Sequence, residues 1–440
     1  MRDNCKSFAR GIPSSTLSAV FPFVSNFMCD GYCDKQQSMG IPIGHNAYPV
    51  FLDFFKRDDR YTNSNMMIVG KSGGGKSYAT KHLLANFIAD GCRVFVLDPE
   101  NEYSKLARNL GGRVIDVGQA TEGLLNPFQM TVSLKDEIDE YDEKHNNTSY
   151  YVYLQFLESF FRIIFDGLTS DAFEYLNKIC VDMYKEKGIT PKTDIARLKP
   201  KDFPIFDDLY ALIKSKLTNE QIPAQKAMLT KLEMYVSKFS TGGRNSALWN
   251  GYSTIEFDEQ FVVFNFQGLL ANKNNAISNA QMLLVLKILD NEIIKNMDYN
   301  RATNSMRRIV VTIDEAHTFI DPKYPIALDF MKETAKRIRK YNGMLQVITQ
   351  NIKDFGGQNA EVAIKASAVI NACQYSFVFG LNPSDMHDLV ELYRKSCPIN
   401  DIEAEDIANA GMGECFLITS PQNRSSIKIV ATQQVVELFG

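Results

Sequence analysis

An apolar tetrapeptide, Met66-Met67-Ile68-Val69, runs straight into Gly70-Lys71-Ser72-Gly73-Gly74-Gly75-Lys76-Ser77 and then into the helix-compatible Tyr78-Ala79-Thr80-Lys81-His82-Leu83-Leu84. A buried strand, a GxxxxGKS glycine loop and a helix start, in that order, leave few folds open. Such a loop wraps an anion. Its successive backbone N–H groups form a nest at a helix N-terminus, where unpaired amides and the helix dipole favour phosphate. Gly70, Lys71, Ser72, Gly73, Gly74, Gly75, Lys76, Ser77 and Tyr78 are therefore the candidate phosphate-binding residues. Lys76 would reach the β- and γ-phosphates, and the Ser77 hydroxyl would sit on Mg2+. The flanking strand and helix outweigh a chance match in a loop, so the chain is expected to bind a nucleoside triphosphate.

Around this unit the pattern is α/β. Arg93 to Leu97 reads as a buried strand, Glu102 to Leu110 as a helix and Arg113 to Val117 as a further strand. The pattern resumes with a strand at Gln260 to Phe266, a helix from about Ile277 to Met297 and a strand at Arg308 to Ile313. A helix at Ala327 to Tyr341, a strand at Met344 to Thr349 and strands at Glu414 to Ile418 and Ile427 to Val430 follow. Between these two runs the chain is mostly helical, with a charged opening at Lys135 to Lys144. There Val152, Phe156, Phe160 and Ile163 recur at helical spacing. That spacing favours a buried helix face over a base-stacking platform. The expected fold is an α/β, RecA-like P-loop NTPase with a mostly parallel, doubly wound sheet and an inserted all-α subdomain. The expected divisions are an N-terminal lead-in at 1–60, the first part of the core at 61–130, the helical insertion at 131–258 and the second part of the core at 259–440.

Composition removes several alternatives. A net charge of −4 gives no basic field over the whole chain, so any nucleic-acid contact would have to be local. The apolar stretch Leu17 to Met28 is too short to span a bilayer and contains Pro22, and residues 1–30 lack the basic-then-apolar order of a signal peptide. Of the eight cysteines only Cys29 and Cys33 are close, and no second pair follows at zinc spacing. They read as free thiols in a cytosolic chain.

A second motif narrows the chemistry. Ile309-Val310-Val311-Thr312-Ile313 ends in Asp314-Glu315, which puts two carboxylates at a strand's C-terminal edge. Asp314 would hold Mg2+ through water, and Glu315 would polarise the water that attacks the γ-phosphate. An adjacent glutamate favours hydrolysis over transfer to a small acceptor. Two more strand ends face this edge. Asp98-Pro99 reads as a turn and helix cap, while Glu100 and Glu102 stay open between surface and site. Gln350 stays open between a polar loop start and a contact to the γ-phosphate or attacking water. His317 reads as a helix-start residue, since Glu315 already fits the base role.

These residues resemble a family. GIPIGHNAYPVFLDFF at 40–55, NSNMMIVGKSGGGKS, VFVLDPENEYSKL, LNPF, IDEAHTFI and VITQN are similar, in order and spacing, to the large ATPase of type IV secretion and conjugation systems. That is the VirB/TraC/TraE kind within the FtsK–HerA motor superfamily. The resemblance runs over roughly residues 10–440, and the segment from Arg10 to Ser25 looks like its lead-in to the ATPase domain. It implies an ATP- and Mg2+-dependent hydrolase working as a hexamer with nucleotide between subunits. Lys76, Ser77, Asp314 and Glu315 would carry hydrolysis, with Glu100 and Gln350 as accessory residues. It also implies secretion-channel and coupling proteins as partners, and a cytoplasmic protein held peripherally at the inner membrane face by the apparatus. Family members are usually longer, with an N-terminal domain ahead of the part matched here.

A ring ATPase needs an arginine supplied across the subunit interface. Arg339 sits where the family has an Arg-Lys before the Gln-bearing strand, although a basic last helical turn accounts for it equally. Arg244 and Arg424 are the fallback candidates. Two other readings remain: a DNA-translocating motor, which a basic, aromatic-bearing pore loop would favour, and a nucleotide-gated docking scaffold, which has no need of Glu315.

Overall fold

The structure, a computed structural model, describes residues 37–42, 50–118, 123–131, 144–255, 257–271, 275–320, 326–350, 360–394 and 397–440. Cys29 and Cys33, the lead-in at residues 10–25, residues 43–49 of the GIPIGH block, most of the charged stretch from Lys135 and Asn351 lie outside the described residues. The five described cysteines, Cys92, Cys180, Cys373, Cys397 and Cys415, are free thiols.

The described strands, in chain order, are β1 (Gln37–Pro42), β2 (Val50–Leu52), β3 (Met66–Val69), β4 (Arg93–Asp98), β5 (Arg113–Asp116) and β6 (Phe261–Asn265). They continue with β7 (Ile309–Ile313), β8 (Gly343–Thr349), β9 (Tyr375–Phe379), β10 (Glu414–Ile418) and β11 (Arg424–Ile429). All eleven join one sheet in the order β2-β1-β11-β10-β9-β3-β8-β7-β4-β6-β5. From β9 to β5 every neighbouring pair is parallel. On the other side β10, β11, β1 and β2 follow one another antiparallel. The parallel part is the doubly wound sheet expected from the sequence. The antiparallel extension is an addition: β1, β2 and the central β9 were not anticipated, and β11 begins three residues earlier than expected.

Burial on both faces explains the continuous apolar runs. Every residue of β3, β4, β7, β8 and β9 is buried. Met66 and Ile68 pack into one cluster with Leu83, Leu84 and Phe87 of the helix Lys76–Ala89. Met67 and Val69, on the other face, share a cluster with Val285 and Leu289 of the helix Asn275–Thr303 and Leu328 and Met331 of the helix Ile326–Arg337.

Between β5 and β6 the described residues form helices, among them Lys144–Ile164, Ser170–Glu186, Phe206–Asn219 and Pro223–Val236, and no strand. Phe156, Phe160 and Ile163 are buried and Val152 is half-buried, and the Phe160 ring meets Trp249 edge-on at 4.9 Å, so this face is core. The block is fastened to the sheet side through Gln281 of the long helix. Trp249 Nε1 donates to Gln281 Oε1 at 2.6 Å, and Gln281 Nε2 donates to the Val117 carbonyl at 3.1 Å.

Candidate nucleotide site

The parallel strands end together. Val69 lies level with Thr349 on one side and Val378 on the other, and Leu97 lies level with Ile313. The phosphate loop, Asp98, Asp314-Glu315 and Gln350 therefore leave one edge of the sheet, the edge at which open α/β sheets bind ligands.

Between β3 and the helix Lys76–Ala89 the loop is held from behind by β9 and the start of β10. Lys71 N–H donates to the Gly380 carbonyl at 2.9 Å, and the Gly74 carbonyl accepts from Gly413 N–H at 3.0 Å. Gly73 and Gly75 take φ of 75° and 106°, a region that favours glycine. Any Cβ on Gly70 would lie 2.5 Å from the Phe379 Cβ. The helical ladder begins with Ala79 N–H donating to the Gly75 carbonyl, so the amides of Lys76, Ser77 and Tyr78 precede it. Lys71, Ser72 and Gly73 form the exposed tip, and Ser77 is half-buried. Lys76 is buried, and its ammonium donates to the carbonyls of Gly70 at 2.8 Å and Lys71 at 3.3 Å. Burial lowers its pKa; the Glu315, Asp314, Glu102 and Glu100 carboxylates act the other way. The Tyr78 side chain leads elsewhere: its ring meets Phe439 edge-on at 5.4 Å and its hydroxyl accepts Ala431 N–H at 3.3 Å, which leaves its backbone amide at the loop.

Facing Lys76 is an acidic edge. Asp314 N–H donates to the Leu97 carbonyl at 3.1 Å, and Asp314 Oδ1 accepts Glu315 N–H at 2.9 Å. Burial, reinforced by Glu315, Glu102 and Asp98, pushes the Asp314 carboxyl up to about 8. Glu315 sits at φ 39° and ψ 51°, an unusual conformation for a non-glycine residue. Its Oε1 accepts from Gln350 Nε2 at 2.6 Å, and His317 Nδ1 lies 3.3 Å from its Oε2 and 3.3 Å from Thr349 Oγ1. His317 is in the short 3-10 turn Ala316–Phe319, as its helix-start reading requires.

The turn after β4 is organised by Asp98, whose carboxylate accepts the N–H groups of Glu100 at 3.2 Å, Glu102 at 3.1 Å and Tyr103 at 2.9 Å. This turn sends Glu100 outward, where it is exposed, and Glu102 inward. Glu102 Oε2 is buried without a hydrogen-bond partner, and the buried Tyr103 hydroxyl has the Asp314 carboxyl as its neighbour. Burial, with Asp314, Asp98 and Glu102 beside it, raises the Tyr103 hydroxyl pKa well above its usual value. Buried orphan polar atoms call for a water or an ion. An orphan carboxylate oxygen beside Asp314 and Lys76 fits a hydrated divalent cation. No three His, Cys, Asp or Glu side chains among the described residues form a cage of their own, so such a cation would depend on phosphate and water oxygens. Sequence reading left Glu102 undecided and missed Tyr103; the signal was their spacing from Asp98.

The arginines are elsewhere. Arg339 is exposed in the 3-10 turn Ile338–Tyr341 that precedes β8, at the opposite end of that strand from Gln350 and about 20 Å away along it. Arg244 is exposed in the helical block, where it helps to line a cavity of about 510 Å3 with Tyr210, Lys238 and Thr241. Arg424 is engaged, with Nε 2.8 Å from Glu403 and Nη1 donating to the Pro398 carbonyl at 2.9 Å.

Comparison with known proteins gives a consistent answer. The profile of the family described as the TraG P-loop domain matches residues 43–382. The solved structure of VirB4 of Thermoanaerobacter pseudethanolicus superposes with a TM-score of 0.75 at 28% identity, covering 92% of this chain and 99% of that one. An uncharacterized protein of Bacillus anthracis is 21% identical over 97% of this chain and 68% of its own length. Protein TraC of Escherichia coli (strain K12) is 23% identical over 72% of this chain, a match that spans only 32% of TraC.

Proposed function

This chain belongs to the TraG P-loop domain family and is an ATPase of the type IV secretion and conjugation kind, and on that premise we propose how its site works and what it drives. The motor energises assembly of such an apparatus or transfer of substrate through it. The observation that carries the hydrolytic part is the Gln350 amide gripping the Glu315 carboxylate at 2.6 Å on the edge that also holds buried Lys76.

The amides of the glycine loop and the first helical turn, with Lys76, hold the β- and γ-phosphates of ATP. Ser77 and Asp314 would hold Mg2+, with Glu102 and Tyr103 as partners for its water; bound there, the ion would offset the negative charge of the phosphates. Glu315 takes a proton from water as its oxygen attacks the γ-phosphorus. The bond from that phosphorus to the β–γ bridging oxygen breaks, giving ADP and phosphate. Gln350 positions the Glu315 carboxylate and, when the γ-phosphate leaves, reports that loss to β8. Glu100, exposed at the mouth, is the weaker accessory candidate. Arg339 can act only on a neighbouring chain's nucleotide, which calls for a ring, a hexamer by the family resemblance. Residues 131–258 serve as an inserted helical subdomain. No helix of the described residues is long and apolar enough to cross a membrane, and a peripheral position on the inner membrane face comes through the channel and coupling proteins.

ATP hydrolysis against protein concentration, with mass determination, tests this. Turnover per chain should rise with assembly, and Glu315→Gln should lower it about 100-fold or more while ATP still binds. Unchanged turnover in Glu315→Gln would sink the mechanism. Strong stimulation by added DNA would assign the work to DNA translocation, and tight binding without turnover in assembled protein would assign it to a docking scaffold.

A further inference from the structure

A turn behind the phosphate loop carries a side chain that the hydrolytic reading leaves without a task. β10 runs antiparallel to β9, so its first residue, Glu414, stands at the edge where the parallel strands end. The turn leading into it closes with Glu414 N–H on the Gly411 carbonyl at 3.0 Å and has Gly413 at φ 79°, the type II pattern. It is braced on three sides. Gly411 N–H donates to Glu414 Oε2 at 2.9 Å, Gly413 N–H donates to the Gly74 carbonyl at 3.0 Å, and the Gly413 carbonyl accepts Ile429 N–H at 2.9 Å. A Cβ on Gly75 would already press on Gly413 at 3.0 Å. At the apex of this rigid turn is Met412, with 81% of its surface exposed, more than any other large hydrophobic residue described. Val430, just past β11, is 44% exposed, and the next residue is tied back to the phosphate-loop helix through Ala431 N–H on the Tyr78 hydroxyl.

The position says what would cover these side chains. The carboxylates and Gln350 leave β7, β4 and β8, on one side of β3; β9 and β10 lie on the other. A triphosphate whose γ end faces Glu315 therefore extends its nucleoside toward the β9–β10 side. We propose that Met412, on its turn braced against Gly74, and Val430 form the seat for the base of the nucleoside triphosphate held by the phosphate loop. The inference rests on that reading of the loop. A methionine thioether and a valine offer a flat aromatic base the contact that soft, apolar groups make best, and Gly411 and Gly413 leave the approach to Met412 free of other side chains.

The test uses the full chain and two probes, Mg-ATP and inorganic tripolyphosphate, titrated by calorimetry into the wild type, Met412→Ala, Val430→Ala and Lys76→Ala. Met412→Ala should weaken ATP about three- to tenfold and leave tripolyphosphate unchanged, Val430→Ala should do the same to a smaller degree, and Lys76→Ala should weaken both probes. Unchanged ATP affinity in Met412→Ala, with Lys76→Ala impaired, would overturn the seat and leave the phosphate site standing. Equal loss of both probes in Met412→Ala would also overturn it, since the turn would then act only as a brace. A wild type that binds neither probe would fail the phosphate site itself, and the seat with it.

Discussion

Glu315 shows what the site asks of single residues. Holding a non-glycine residue in the left-handed region costs on the order of 1–3 kcal/mol, and here that conformation delivers the carboxylate to Gln350 and His317. Glu100 and Glu102 differ by only two positions, yet the Asp98 turn exposes one and buries an unpartnered oxygen of the other. Glu102→Gln should therefore lower turnover more than Glu100→Gln and shift its Mg2+ dependence to higher concentration. Mg2+ titrations of ATPase rate read both, and a larger effect at Glu100 would refute the assignment. Away from the site, burial lifts the Asp290 carboxyl from 3.8 to about 6, against the pull of Lys287 and Arg337. The folded chain keeps that proton where the unfolded chain has lost it, so this group's contribution to stability falls as pH rises from about 4 to about 6 and stays low above that. Asp290→Asn should remove that slope and raise the melting temperature above pH 6, which thermal melts across the range would check.

At the scale of elements, the long helix Asn275–Thr303 is pinned to the start of β4 by one buried ion pair. Arg93 Nη2 lies 2.8 Å from Glu292 Oε2, with both side chains nearly covered, and Arg93 also donates to the Phe257 carbonyl. Removing one partner strands the other charge in the core. Glu292→Ala should cost about 3–5 kcal/mol, seen as a lower denaturant midpoint, whereas Arg162→Ala, in the exposed pair with Glu158, should change it little. The same scale explains the missed β9. Tyr375 to Phe379 is five residues long and follows the apolar helix Ala360–Asn371 after a short turn, so no local change of period marks it, yet it lies next to β3 in the centre of the sheet.

For the whole molecule, the sheet holds the arginine proposed for catalysis apart from the rest of the site. Lys76, Asp314, Glu315 and Gln350 converge on one edge, while Arg339 is left near the other, exposed and about 20 Å away along β8. One chain cannot bring them together without unfolding β8; neighbouring chains in a ring can. Arg339→Ala should thus reduce turnover on the order of 1000-fold in assembled protein while ATP binding is retained. Mixing inactive Arg339→Ala with inactive Glu315→Gln should restore part of the activity, because some interfaces then pair an intact carboxylate with an intact arginine. A mixture as inactive as its parts would remove Arg339 from the mechanism.

What sequence alone determined here is local or periodic. A glycine loop between an apolar run and a helix encodes its own phosphate nest, and runs buried on both faces encode parallel strands, so β3, β4, β7 and β8 and the residues at their ends were legible. The helical face of Phe156, Phe160 and Ile163 was legible for the same reason, through its 3.6-residue period. Tertiary structure decided whatever depends on which strand lies beside which. It inserted β9 next to β3, added the antiparallel edge of β10, β11, β1 and β2, and turned the Tyr78 side chain toward Phe439. It also left Glu100 exposed while burying an oxygen of Glu102, and closed the 2.6 Å contact between Gln350 and a carboxylate 35 positions earlier in the chain. Sequence spacing sets which residues lie at a strand's end; only packing of the strands sets which of those ends meet.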